Sequence, residues 1–114
     1  MNNYRIVIDP GHGGEDPGAS GNGIIEKNLT LEISRYMYDR FKELGIPVYI
    51  TRTTDETISP TERVNRILNA FGNNKNVIVV SNHINAGGRA HVECDYINSS
   101  IIVILIHSFC HIQQ

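Results

Sequence analysis

"RIVIDPGHGG", residues 5–14, runs three apolar β-branched residues into an Asp-Pro-Gly-His turn. Ile6, Val7 and Ile8 form a continuous apolar run, the pattern of a short strand, Arg5 to Asp9, buried on both faces. Pro10 and Gly11 end it, since proline lacks the amide a ladder needs and glycine admits a sharp turn. His12 therefore stands just past the C-terminal end of a buried strand. Six glycines and Pro17 lie between residues 11 and 25, a density that predicts a loop without regular structure and close to a ligand.

Working outward, the spacing predicts a helix that begins near Glu26 to Asn28, with Leu29, Ile33, Tyr36, Met37, Phe41 and Leu44 down one apolar face. Gly45 and Pro47 stop it. A second strand is expected at Val48 to Arg52. After it, "SPTERVNRILNAF", 59–71, carries Ser59 as N-cap, Pro60 at the first helical position and Glu62 to close a capping box. Val64, Ile67, Leu68 and Phe71 are its expected apolar stripe. "NVIVVSNH", 76–83, reads as a third strand. Strand, helix, strand, helix, strand implies an α/β fold: an open, mostly parallel sheet with flanking helices in three α/β/α layers.

Length and charge narrow the function. With 114 residues, 40% of them apolar, the chain supports one modest core. A net charge of −2 with scattered Lys and Arg leaves no footprint for nucleic acid. The longest apolar run, "IIVILI" at 101–106, is strand-sized, so no membrane span is expected. "MNNY" leads into the first strand without an apolar leader, so no signal peptide is expected either. Cys94 and Cys110 do not make a disulfide framework.

Open parallel sheets gather their sites beyond the carboxyl ends of the strands. His12 follows strand one, His83 ends strand three, and Glu26 closes the glycine loop. Two imidazoles and a carboxylate are the ligand set of a catalytic zinc site that keeps a fourth position open, with each bond at ~2.0–2.2 Å. Position and spacing leave Glu15, Asp16 and Glu32 as alternatives to Glu26, which the helix dipole alone could explain at a helix start. Arg52, Asp55 and Asn85 sit at or after strand ends, as cleft-lining candidates or solvated loop residues. No Gly-Lys-Ser/Thr follows the glycine loop and "GHGGED" lacks a third fingerprint glycine, which argues against nucleotide binding. Ser81 and His83 share a strand face without forming a nucleophile–base dyad.

"IDPGHGGEDPGA", "EKNLTLEIS", "TRTTD", "ERVNRILNA" and "VSNHINAGG", in that order over residues 4 to about 88, resemble the zinc-dependent N-acetylmuramoyl-L-alanine amidases of cell-wall and phage-lysin type. The resemblance implies Zn2+ held by His12, Glu26 and His83, and Arg52 and Asn85 as substrate-cleft candidates. It implies hydrolysis of the amide between N-acetylmuramic acid and L-alanine, with the peptidoglycan stem peptide and muramic acid as partners. Zinc would lower the pKa of its water toward ~7 and polarise the scissile carbonyl. Action would be at the bacterial cell wall, reached by lysis, holin-type release or non-classical export.

The family's acid/base is a second Glu near the end of a longer domain, and here the pattern departs. After "NAGG" the chain reads "RAHVECDYINSSIIVILIHSFCHIQQ", with both cysteines, three of the five histidines and no Lys. Residues 1–88 are thus expected to be the N-terminal part of an amidase catalytic domain. Residues 89–114 are expected to be a divergent tail with one extra strand at 101–106, leaving the fold incomplete relative to the family. A frameshift, premature stop or truncated copy would produce such a join. His91-x-x-Cys94 and His107-x-x-Cys110 could suggest a second zinc site, but the apolar run between them is unlike a finger. Glu93 has no sequence signal tying it to His12 or His83, so the catalytic acid/base is left unassigned. The alternative function is an inactive remnant that binds zinc or peptidoglycan only. A third reading is a small α/β protein without metal. A sheet of three or four strands would leave an edge that favours self-association.

Overall fold

The computed structural model describes residues 3–86, 91–97 and 101–110. A five-stranded sheet runs in the order β4-β1-β5-β7-β6, with β1 at Arg5–Pro10, β4 at Val48–Ile50, β5 at Val77–Ala86, β6 at His91–Ile97 and β7 at Ile101–Cys110. β1 pairs in parallel with β4 and β5, and β5 in parallel with β7; only β6 is antiparallel, on β7. Helix α1, Glu26–Glu43, and helix α2, Pro60–Phe71, complete the α/β architecture.

The strand period of two separates the core into the two faces of the sheet. Ile6, Ile8, Ile50 and Val80 form one cluster with Met37, Tyr38 and Phe41 of α1. Val7, Val77, Val79 and Ile101 form the other with Ile67, Leu68 and Phe71 of α2. Three layers follow from alternation along β1 and β5, whose central residues are apolar toward both helices.

Several expectations are corrected. Tyr36 and Leu44, assigned to the apolar face of α1, are 73% and 56% exposed. The buried positions of that helix are polar: Glu26, Thr30 and Ser34, four apart, lie on one face. Val64 of α2 is exposed as well. Ser59 accepts from the Glu62 amide at 3.1 Å, but the Glu62 carboxylate bonds Arg66 Nε at 2.9 Å, so the capping box is half formed.

The glycine loop does hold regular structure, a hairpin of β2, Ser20–Gly21, and β3, Ile24–Ile25. Asn22 and Gly23 turn it with φ of 52° and 77°, the positive pair of a type I′ turn. Two strands, not one, lie beyond residue 89. The "IIVILI" run is in β7; β6 was missed because "HVECDYI" alternates polar and apolar residues rather than forming a continuous run. His91-x-x-Cys94 falls on β6 and His107-x-x-Cys110 on β7. Among the described residues no helix is long and apolar enough to cross a membrane.

Candidate metal centre

The three predicted ligands meet at the carboxyl edge of the sheet. His12 follows β1, His83 lies in β5, and Glu26 opens α1. One ligand atom from each lies within 4.8 Å of the others. His12 Nε2 is 3.1 Å and His83 Nδ1 is 3.5 Å from the same oxygen, Glu26 Oε2.

Glu26 and His12 are both held in place by neighbouring groups. Glu26 is 4% exposed, and its two carboxylate oxygens accept from the Ala19 amide and the Ile84 amide, both at 2.9 Å. The first amides of α1 are satisfied by loop carbonyls, Glu26 N on Ala19 O and Lys27 N on Pro17 O, which leaves the Glu26 side chain free of a capping duty. His12 has φ 64°, a left-handed conformation that costs a non-glycine residue about 1–2 kcal/mol. Two guanidiniums grip its carbonyl: Arg52 Nε at 2.9 Å and Arg63 Nη2 at 3.0 Å. His12 Nδ1 lies 2.8 Å from Asp16 Oδ2, which fixes the tautomer and leaves Nε2 to face Glu26. That bond is the main reason the Asp16 carboxyl is held below its ordinary range. Burial, reinforced by His12, lowers the pKa of His83 and favours the neutral imidazole a metal requires.

The donor set and its support fit a zinc-type cation: two imidazoles, one carboxylate and an outer carboxylate behind one histidine. Glu15 and Glu32, the sequence alternatives, are exposed and belong to no described ligand cluster. Asp16 supports the centre through His12.

Arg52 is corrected. As a cleft candidate it would face solvent, yet it is 2% exposed and donates to the carbonyls of Gly11, His12, Lys27 and Thr54. The strand stops at Ile50 and turns the guanidinium behind the glycine loop, where it meets backbone carbonyls and, at 3.3 Å, Thr30 Oγ1. Asn85 lies in β5, in register with Phe109, and its side chain lies outside the described residues. A cleft of about 340 Å³ opens beside the centre, lined by His12, Asp16 and His83 together with the apolar Ile58, Pro60 and Val64.

Several supporting residues were not anticipated. Thr30 Oγ1 donates to Gly11 O at 2.8 Å, and Asn82 Nδ2 donates to Ser34 Oγ at 2.9 Å. The available signal was the Glu26, Thr30, Ser34 spacing of four, which marks a polar stripe on an otherwise amphipathic helix. Asp16 follows His12 by four in a tight loop, a spacing with no fixed meaning outside a helix.

Residues 6–97 match the family described as N-acetylmuramoyl-L-alanine amidase. The chain belongs to this amidase family. It is 42% identical over 95 residues to N-acetylmuramoyl-L-alanine amidase CwlM of Bacillus licheniformis, covering 82% of this chain and 36% of that protein. It is also 42% identical over 87 residues to the sporulation-specific N-acetylmuramoyl-L-alanine amidase of Bacillus subtilis, covering 74% of this chain and 32% of that protein. The crystal structure of N-acetylmuramoyl-L-alanine amidase from Clostridium difficile 630 superposes with a TM-score of 0.66 at 31% identity, over 82% of this chain and 51% of that one. The chain thus spans about a third of the length of these two Bacillus amidases.

Proposed function

We propose that this amidase-family chain binds Zn2+ through His12, Glu26 and His83 and acts at the bacterial cell wall, hydrolysing the amide between N-acetylmuramic acid and L-alanine of peptidoglycan. The observation that carries the reading is the convergence of those three ligands within 4.8 Å in a chain whose residues 6–97 match the family. When bound, zinc supplies Lewis-acid polarisation of a carbonyl and a water activated near neutral pH.

The chain's own residues supply position. Glu26 stays fixed by two backbone amides, so it need not reorganise on metal binding. Asp16 holds the His12 tautomer. Ile58, Pro60 and Val64 offer an apolar wall in the cleft, suited to methyl groups such as those of the lactyl and alanyl units and able to exclude water from one side.

Binding of zinc or peptidoglycan without turnover is the second reading, and one observation favours it. The carboxylates lining the described cleft, Asp9 and Asp16, pair with Arg63 and His12 respectively, so among the described cleft residues no unpaired carboxylate stands ready to protonate the leaving amine. Lack of a general acid/base lowers turnover by ~10²–10⁴-fold.

Elemental analysis of the purified chain and its His12→Ala variant tests the metal. Retention of all metal by His12→Ala would sink the site. Release of L-alanine amino termini from purified peptidoglycan, above the His12→Ala background, supports hydrolysis. Stoichiometric zinc with no release supports binding alone.

A further inference from the structure

His83 is flanked by two more imidazoles. His12 meets its ring edge-on, with centroids 5.2 Å apart and planes at 87°. On β7, His107 is the in-register partner of His83, and its ring stacks with centroids 5.6 Å apart and planes at 24°. His107 is itself tied down: its Nε2 lies 3.1 Å from Glu93 Oε2 of the neighbouring β6. His107 lies beyond residue 97, where the family match ends, so family membership does not account for it.

The rotation of an imidazole about its terminal bond is soft, because sp³–sp² torsions have broad wells. A ligand free to rotate must be ordered when the metal binds, and that cost weakens affinity. The His83 ring also meets Gly11 closely and faces Glu26 Oε2 at 3.5 Å, and a face contact across the strand pair restricts its rotation from the remaining side. We propose that His107, tethered by Glu93, is a positioning residue that holds the His83 ring in its metal-binding orientation. This rests on the metal centre of the proposed function. The stacked geometry sets His107 apart from a ligand: its ring lies against the His83 face, and its Nε2 is committed to Glu93. Two strands beyond residue 89 thus contribute to a centre whose ligands all lie before it.

The test uses the full chain, freed of metal and titrated calorimetrically with Zn2+, with the visible absorption of the Co2+ form as a second readout. Outer partners of metal ligands commonly contribute 10–100-fold in affinity, and loss of a stacking contact is expected at the lower end, about 10-fold for His107→Ala. His107→Phe keeps a flat ring without nitrogens and is expected to restore Zn2+ affinity and the Co2+ spectrum close to wild type. Glu93→Ala removes the tether while keeping the His107 ring and is expected to fall between the two, and it decides the matter if His107→Ala does not fold. Wild-type affinity in folded His107→Ala, or in Glu93→Ala, overturns the proposal. So does a loss in His107→Phe equal to that in His107→Ala, which would make the nitrogen a ligand. Wild-type affinity in His12→Ala would overturn the metal centre itself, a separate outcome.

Discussion

Asp16 Oδ2 stands 2.8 Å from His12 Nδ1, and the opposite ring nitrogen, Nε2, stands 3.1 Å from Glu26 Oε2. This carboxylate–imidazole–carboxylate line assigns the two nitrogens different duties. Asp16→Ala is expected to weaken Zn2+ binding about 10–100-fold while leaving the fold intact, because Asp16 is exposed and its side chain bonds only the His12 ring and the Gly18 amide among the described contacts. Calorimetric titration beside circular dichroism checks both halves. The His12 bond holds the Asp16 pKa below 3.8, so the contact persists through neutral pH and is lost as pH falls through that lowered value.

Gly11 is the close-approach glycine of the centre. A Cβ there would lie 2.7 Å from the His83 ring and 2.8 Å from Asn82 O, and backbone cannot yield as a flexible side chain would. Gly11→Ala is expected to destabilise by about 1–3 kcal/mol through overpacking and to displace His83 from Glu26. Denaturant unfolding gives the first effect; loss of Zn2+ from protein that remains folded gives the second.

Asp9 is buried and balanced by Arg63 Nη1 at 2.6 Å, with Thr51 Oγ1 and Ser81 Oγ donating at 2.9 and 3.0 Å. Arg63→Ala leaves the carboxylate with two hydroxyls and no countercharge. The expected loss is about 3–5 kcal/mol, the range for removing one partner of a buried pair, and it also frees the His12 carbonyl of one donor. Chemical unfolding of variant and wild type measures it. A cost below 1 kcal/mol would show that the hydroxyls suffice.

Glu56 and Arg66 form a surface pair at 2.5 Å, and the arginine is the main cause of the lowered Glu56 pKa. A folded pKa below the ordinary 4.5 gives stability that is present above 4.5 and lost as pH falls through the folded value. Solvent screening limits the contribution to on the order of 0–1 kcal/mol. Glu56→Gln is expected to flatten that part of the stability profile below about pH 4.5 and to change little at pH 7. Thermal unfolding across pH 3–6, compared with wild type, reads the difference.

The legible parts of this protein are those written in local patterns. Ile6 to Ile8 and Val77 to Val80 announce buried strands, and Ser59-Pro60 announces a helix start. Asn22-Gly23 announced a hairpin as clearly, but the surrounding glycines masked it. Tyr36 and Leu44 misled because they fit the helical period on a side of α1 that meets no neighbour. β6 was invisible to a search for apolar runs, since its sequence sets His91, Glu93 and Asp95 between apolar residues.

By itself the sequence determined the alternation of strands and helices and the placing of His12 just past the first strand and of His83 on the third, because period and turn chemistry are properties of neighbouring residues. Resemblance to a family, not spacing, singled out Glu26. Tertiary structure alone decided that Arg52 lies behind the glycine loop, that Asp16 serves His12, and that His107 stacks on His83. Each of these is a meeting of polar groups set by loop path or strand register. Such meetings depend on where the chain returns in space, which no local pattern records.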